Sequence, residues 1–201
     1  LFTALANAGA DAIVVRDISN HPTGASEILG STAVVRVVLG VACWAAAVVC
    51  TALLNRDNSR TVLMTAIVGS TLVFQASDTI DLWFQSQSQS RRTVVAKLCA
   101  YMTSSLIKVA LILVNAPLMA FAAVVAFDAL ACAFGLMLAY RGMPTPSRWS
   151  TSVKRAKAIL AEAWPLMLSG AAIMVYMRID QIMIKEALGE HELGIYAAAL
   201  P

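Results

Sequence analysis

Five long apolar runs set the terms for what this chain can become. They cover residues 32–54, 61–84, 94–114, 118–140 and 163–184. An α-helix rises about 1.5 Å per residue, so roughly 20 apolar residues cross the ~30 Å hydrocarbon core of a bilayer. The runs are continuous rather than alternating, and a barrel strand needs only about 9–11 residues, so they read as helices. Of the 201 residues, 59% are hydrophobic and 13% charged, against about 45–50% and 25% in soluble domains. The fold class is therefore an all-α polytopic membrane protein. Two shorter runs, 1–15 and 193–201, read as the end of one span and the start of another. With no initiating methionine, basic leader or cleavage site, the chain reads as a fragment of a longer protein without a signal peptide.

The punctuation between runs is that of short connections. HPTG at 21–24 breaks the chain, NRDNSR at 55–60 makes a polar turn, and Asn115-Ala116-Pro117 joins two spans tightly. Pro165 is expected in the first turn of its span. The longest polar stretch, 141–162, carries two prolines and then SVKRAKAILAEA, expected as a short interfacial helix. Alternating the sides of successive loops puts Arg16, Arg36, Arg91, Arg92, Lys97, Arg141, Arg148, Lys154, Arg155 and Lys157 on one side. Arg56, Arg60 and Lys185 fall on the other. Ten against three assigns the first side to the cytoplasm. The tract DTIDLWFQSQSQSRRT at 78–93 then becomes the cytoplasmic end of a span and a short loop, with Arg91, Arg92 and Lys97 as headgroup anchors.

Charges inside spans are costly and mark candidate functional residues. Asp78 and Asp81 lie near the cytoplasmic end of their span, three apart on one helix face, with Gln85 a turn on. They read either as a loop anchor or as residues for gating or ion coupling. Lys108, Arg178 and Asp180 lie near the outer ends of theirs, where long side chains snorkel to the interface. Arg178 shares a face with Met174 and Gln181, Asp180 with Tyr176 and Met177, so the two do not face each other. An arginine facing a cavity suits an anionic lipid-linked substrate. Asp128 lies near the middle of 118–140 and cannot snorkel. Counted from the Asn115 turn, Lys108 and Asp128 differ in height by roughly 6 Å. A Lys108–Asp128 pair, a shared watery cavity, or a protonated Asp128 packed among helices all fit.

Other chemistries have little support. Cys43, Cys50, Cys99 and Cys132 sit in apolar runs without a CxxC pair, and His21 and His191 are the only histidines. No metal or other cofactor and no nucleic-acid partner is expected. The short loops on the non-cytoplasmic side leave no room for an enzyme's catalytic site. A membrane polymerase or ligase is therefore the weaker alternative, and a scaffold without transport activity is another.

Four stretches carry a family resemblance. LWFQ at 82–85 resembles the W-F-Q signature of polysaccharide flippases, the Wzx-type O-antigen and capsule transporters of the multidrug/oligosaccharidyl-lipid/polysaccharide superfamily. AIVVRDISNHPTGASEILG at 12–30 is similar to their loop between spans two and three. WPLMLSGAAIMVYMRIDQIMI at 164–184 and LGIYAAA at 193–199 are similar to the start of their second half. In place of the family's usual glutamate or glycine after WFQ, this chain has Ser86-Gln87-Ser88-Gln89. The resemblance implies a fragment of a two-lobe bundle of twelve or more spans. Residues 1–140 would form most of the first lobe, 141–162 the cytoplasmic connection and 163–201 the start of the second. It implies alternating access and an oligosaccharide on polyprenyl diphosphate moved to the outer leaflet of the bacterial inner membrane, in lipopolysaccharide or capsule synthesis. Arg178 and Lys108 are then candidates to hold the diphosphate, and polysaccharide polymerase and chain-length machinery are implied partners. A drug/cation antiporter of the same superfamily, coupling ions at Asp78, Asp81 or Asp128, is the alternative.

Overall fold

The computed structural model describes residues 11–21, 24–54, 59–141 and 149–199, and every regular element among them is helical. The helices are α1 Asp11–Asn20, α2 Ala25–Leu54, α3 Ser59–Gly69, α4 Thr71–Phe74, α5 Asp78–Ser86, α6 Ser90–Leu113, α7 Leu118–Arg141, α8 Val153–Leu188 and α9 Glu190–Ala199. Five stretches are long and apolar enough to cross a membrane: α2, Ser59–Ser86, α6, α7 and α8. They correspond one to one with the five apolar runs, and the chain is a multi-pass membrane protein. Of the first short run, 1–10 lie outside the described residues and 11–15 belong to α1. Residues 22–23 of HPTG, 55–58 of NRDNSR and the two prolines of 142–148 also lie outside them, and α9 covers 193–199 of the last run.

Two helices run well past the apolar runs at their basic end. α2 starts at Ala25, seven residues before its run, and α8 starts at Val153, ten before its own. The expected interfacial helix is therefore no separate element but the lower part of α8. Pro165 sits inside α8, not in its first turn. The extensions persist because they have something to pack on. Ile13, Val14 and Ile18 of α1, Ile28 and Leu29 of α2, Leu82 of α5, and Ile159 and Ala163 of α8 form the larger buried cluster. It sits where the helices leave the hydrocarbon and water again drives apolar burial. Gly30 allows the approach of the chain leading into α8: a Cβ there would stand 2.2 Å from the Ser150 carbonyl oxygen. Ser31 fastens the same point, its hydroxyl accepting from the Ser152 N–H at 3.1 Å. Trp149, just before, donates its indole N–H to the Tyr140 hydroxyl at 2.7 Å.

Within the membrane the seams are built differently. Apolar side chains such as Leu54, Leu106, Leu113 and Leu118 point outward, because lipid is as good a solvent for them as a neighbouring helix. Close approach falls to small residues. α6 and α7, the most extensive helix pair, bury Thr93, Ala100, Ser104 and Ala122, and Gly135 lies against Ala96. Their connection is a Schellman cap. Asn115 takes φ 51°, Ala116 N–H reaches the Leu111 carbonyl at 3.0 Å, and Pro117 follows.

The same cap ends α5. Ser88 takes φ 55°, and Gln89 N–H donates to the Phe84 carbonyl at 2.8 Å. The Gln/Ser ladder is thus a tight turn, and α6 begins at Ser90, placing Arg91 and Arg92 in its first turn. A serine in the left-handed region costs about 1–2 kcal/mol that glycine avoids. Ser88→Gly is expected to stabilise the protein by about 1 kcal/mol, measured as a raised thermal midpoint in detergent.

The span Ser59–Ser86 is not one continuous helix. It is interrupted at Ser70, and again by a 3₁₀ turn at Gln75–Ser77 that joins α4 to α5. The Ser70, Thr71 and Ser77 hydroxyls donate to carbonyls three residues back, at 2.6–2.8 Å, and such bonds compete with the regular ladder. The Trp44 indole of α2 donates to the Ala66 carbonyl at 2.9 Å and lies against Gly69. Gly40 of α2 brings that helix onto the Leu72 carbonyl, where a Cβ would meet the oxygen at 2.6 Å. Broken helices are tolerated at membrane depth where they line a cavity or are buried in protein.

Candidate functional site

α5 packs among α1, α2, α6 and α7, and a cleft of about 960 Å³ opens beside it. Asp78, Asp81 and Gln85 line one wall; Thr93, Lys97 and Tyr101 of α6 and Asp128 and Cys132 of α7 line the others. A second chamber of about 300 Å³ adjoins it, sharing Asp78, Asp128 and Cys132 and reaching Gln75 and Ser77 of the 3₁₀ turn. The interruption in the span thus puts irregular, polar backbone against a watery space.

Lys97 is the centre of the charge arrangement. Its Nζ lies 2.9 Å from Asp78 Oδ1 and 2.8 Å from Asp81 Oδ2. The spacing of three puts both carboxylates on one face of α5, and the Ser88 turn folds α6 back antiparallel, bringing Lys97 alongside. Asp81 is the best shielded of the three, its side chain 14% exposed. Asp128 lines the same cleft but makes no ion pair with a described residue. With all groups ionised, three carboxylates face one ammonium and the cleft is two charges negative. Gln75 Oε1 and Thr93 Oγ1, on the chamber and cleft linings, are buried without a partner among the described residues, places that water satisfies in a polar cavity. Among the described residues no group of His, Cys, Asp or Glu side chains converges closely enough to hold a metal ion.

The other candidates stand apart. Lys108 is half-buried, about 16 Å further along α6 than Lys97, and does not line the cleft. It forms no ion pair with Asp128. Asp128 faces the broken span instead, where Gln75 and Ser77 leave room. Arg178 is exposed on α8 and donates to Gln181 at 3.0 Å, and Asp180 accepts from the Tyr196 hydroxyl of α9 and from Gln181 N–H at 2.8 Å. Neither reaches the cleft.

Lys97, counted from sequence as a loop anchor, belongs to the site. Counting from the Ser88 turn, seven residues back to Asp81 and nine on to Lys97, would have paired them. Arg36, counted as a loop cation, lies in the fourth turn of α2, buried and ion-paired with Asp11 of α1. Outside the cleft, Arg16 pairs with Glu162 at 2.8 Å and Asp17 at 2.9 Å, and Arg155 with Asp17 at 3.3 Å. Hydrogen bonds to Glu162 and then Asp17 raise the Arg16 pKa further. These exposed pairs orient α8 on α1 more than they stabilise it.

Compared with known proteins, residues 1–201 match the model of a family described as polysaccharide biosynthesis protein. No curated protein and no solved structure matches the chain.

Proposed function

From the chain's membership of the polysaccharide biosynthesis protein family, a family of polysaccharide flippases in the multidrug/oligosaccharidyl-lipid/polysaccharide superfamily, we propose that it moves oligosaccharide linked to polyprenyl diphosphate from the inner to the outer leaflet of the bacterial cytoplasmic membrane. The family match along 1–201 carries this reading. In it the chain performs no covalent chemistry. It is part of a two-lobe bundle of twelve or more spans that works by alternating access and hands its cargo to polymerase and chain-length machinery.

The charge arrangement suggests a division of labour. A cleft lined by Asp78, Asp81 and Asp128 repels a diphosphate. We assign it to gating and to the coupling cation or proton, with Lys97 moving between carboxylates as the occupancy changes. The anionic headgroup needs cations elsewhere, and Arg178 and Lys108 are the candidates. The acidic lining also favours a second reading, export of an organic cation by an antiporter.

Deletion of the gene is expected to leave lipid-linked repeat units facing inward and to strip the surface polysaccharide, read by lectin or antibody labelling. Normal surface polysaccharide with a new sensitivity to cationic drugs would replace the first reading by the second.

A further inference from the structure

The first turns of α8 pack along α2 at the basic end of the bundle, but the two helices do not close on each other. A groove of about 320 Å³ runs between them, walled by Val34 and Val38 of α2 and by Val153, Ala156 and Leu160 of α8. Its walls are almost wholly hydrocarbon, and Val38 and Val153 are 60% and 74% exposed. Among the described residues, the one charged side chain on its lining is Lys157. Three described arginines nearby are already committed: Arg16 to Asp17 and Glu162, Arg155 to Asp17, and Arg36 to Asp11. Lys154, in the first turn of α8, is exposed and unpaired among the described residues but is not on the lining. Lys157 has no ion pair with any described residue. It stands six residues before the apolar run of α8, about 9 Å along the helix axis. That is just beyond the headgroup layer, which adds roughly 5–8 Å to each side of the hydrocarbon core, and within reach of it for a lysine stem. Val34 and Val38 lie two and six residues inside the apolar run of α2, so the slot opens toward the hydrocarbon.

We propose that this groove holds one acyl chain of an anionic membrane phospholipid, with Lys157 on its headgroup phosphate. The size of the space argues for a chain and against a helix: a helix with its side chains is about 10–12 Å across, and this slot lies between two helices already in contact. The charge argues for an anionic lipid: an unpaired ammonium sits on the lining of an apolar slot, within a side chain's reach of the level where a phosphate would be. A lipid seated there covers Val38 and fills the gap between the two helices. The proposal rests on the membrane reading of the chain and not on what it transports, so either can fail alone.

The test uses the full-length protein reconstituted in nanodiscs of phosphatidylcholine with a minority of phosphatidylglycerol, then released for native mass spectrometry. Wild type is expected to retain phosphatidylglycerol in preference to phosphatidylcholine. Lys157→Gln should lower that preference about fivefold, the usual contribution of one basic residue at an anionic surface. Val38→Trp, which fills the slot, should lower retention of both lipids. Should Val38→Trp fail to fold, a diazirine-bearing phosphatidylglycerol on the wild-type protein decides: crosslinks on the peptides holding Val38 and Leu160 support the site, and crosslinks confined to other faces overturn it. An unchanged lipid preference in Lys157→Gln overturns it too. So does displacement of phosphatidylglycerol by added undecaprenyl phosphate at equal concentration, which would make the groove a track for the substrate's tail.

Discussion

A Lys97→Met variant is expected to lose about 2 kcal/mol of stability and most of its transport. The magnitude comes from its surroundings. Removing one partner from a wholly buried ion pair costs about 3–5 kcal/mol, whereas an exposed pair contributes at most about 1. Lys97 falls between, with its side chain 39% exposed and its stronger partner Asp81 14% exposed. Methionine keeps the length and removes the charge, leaving Asp78 and Asp81 facing each other with Asp128 beyond. Asp81→Asn should cost less, because Asp78 still answers the ammonium. The double variant Lys97→Met/Asp81→Asn should be more stable than Lys97→Met alone, a sign of direct coupling. Thermal unfolding in detergent measures stability, and surface polysaccharide in a complemented deletion strain measures transport. A double variant that recovers stability but not transport separates the structural role of Lys97 from its role in coupling. Additive losses in stability would mean that the Lys97–Asp81 contact carries no energy.

The second large effect is expected from a single methyl group. Gly30→Ala should cost about 1–3 kcal/mol, the usual range for overpacking, and should release the start of α8. A Cβ at Gly30 meets the Ser150 carbonyl oxygen at 2.2 Å and its carbon at 2.9 Å. Both are backbone atoms, so no rotamer change relieves the clash and the strand of chain before α8 must move. That movement breaks the Ser31–Ser152 contacts and lifts Ile159 and Ala163 from the larger cluster. Hydrogen exchange should rise through 149–163 and stay unchanged in α6 and α7. Gly24→Ala is the control, since a Cβ there meets nothing within 4 Å. Equal exchange in the two variants would show that the contact at Gly30 does not hold α8 in place.

The spans were legible because a run of some 20 apolar residues is a local property that no tertiary contact overrides. Their basic-side ends were not. ASEILGS at 25–31 and VKRAKAILAE at 153–162 carry enough polar side chains to read as loop or interface, and they are helical because Ile28, Leu29 and Ile159 find each other across α2 and α8. The interruption within 59–86 was hidden for the opposite reason. Its hydropathy is that of a span, and the break comes with hydroxyls bonding back three residues. The Ala66 carbonyl beside it takes the Trp44 indole as a second donor and keeps its bond from Ser70 N–H. At the site, depth singled out Asp128, and the spacing of three put Asp78 and Asp81 on one face. Height along a hairpin left Asp128 open between a Lys108 pair, a shared cavity and a protonated side chain, and did not point to the broken span that it faces. Lys97 was counted by its position in the loop pattern and not by its distance from the Ser88 turn.

α8 has 36 residues, about 54 Å of helix, against a hydrocarbon core of ~30 Å. Its foot packs on the cluster shared with α1 and α2 as far as Met167, while Trp164, Leu168, Ile173, Tyr176 and Met183 stand exposed. Pro165 falls at the junction, and its ring deprives the Ala161 carbonyl of a ladder hydrogen bond. In mechanical terms α8 is a lever: held at its foot as far as Met167, and weakened at one point, Pro165, near the top of that hold. A few degrees of bending at that point sweep the far end sideways by ångströms. A bend at that point would turn a small change in how α1 and α2 grip the foot into a larger displacement at the far end of the helix.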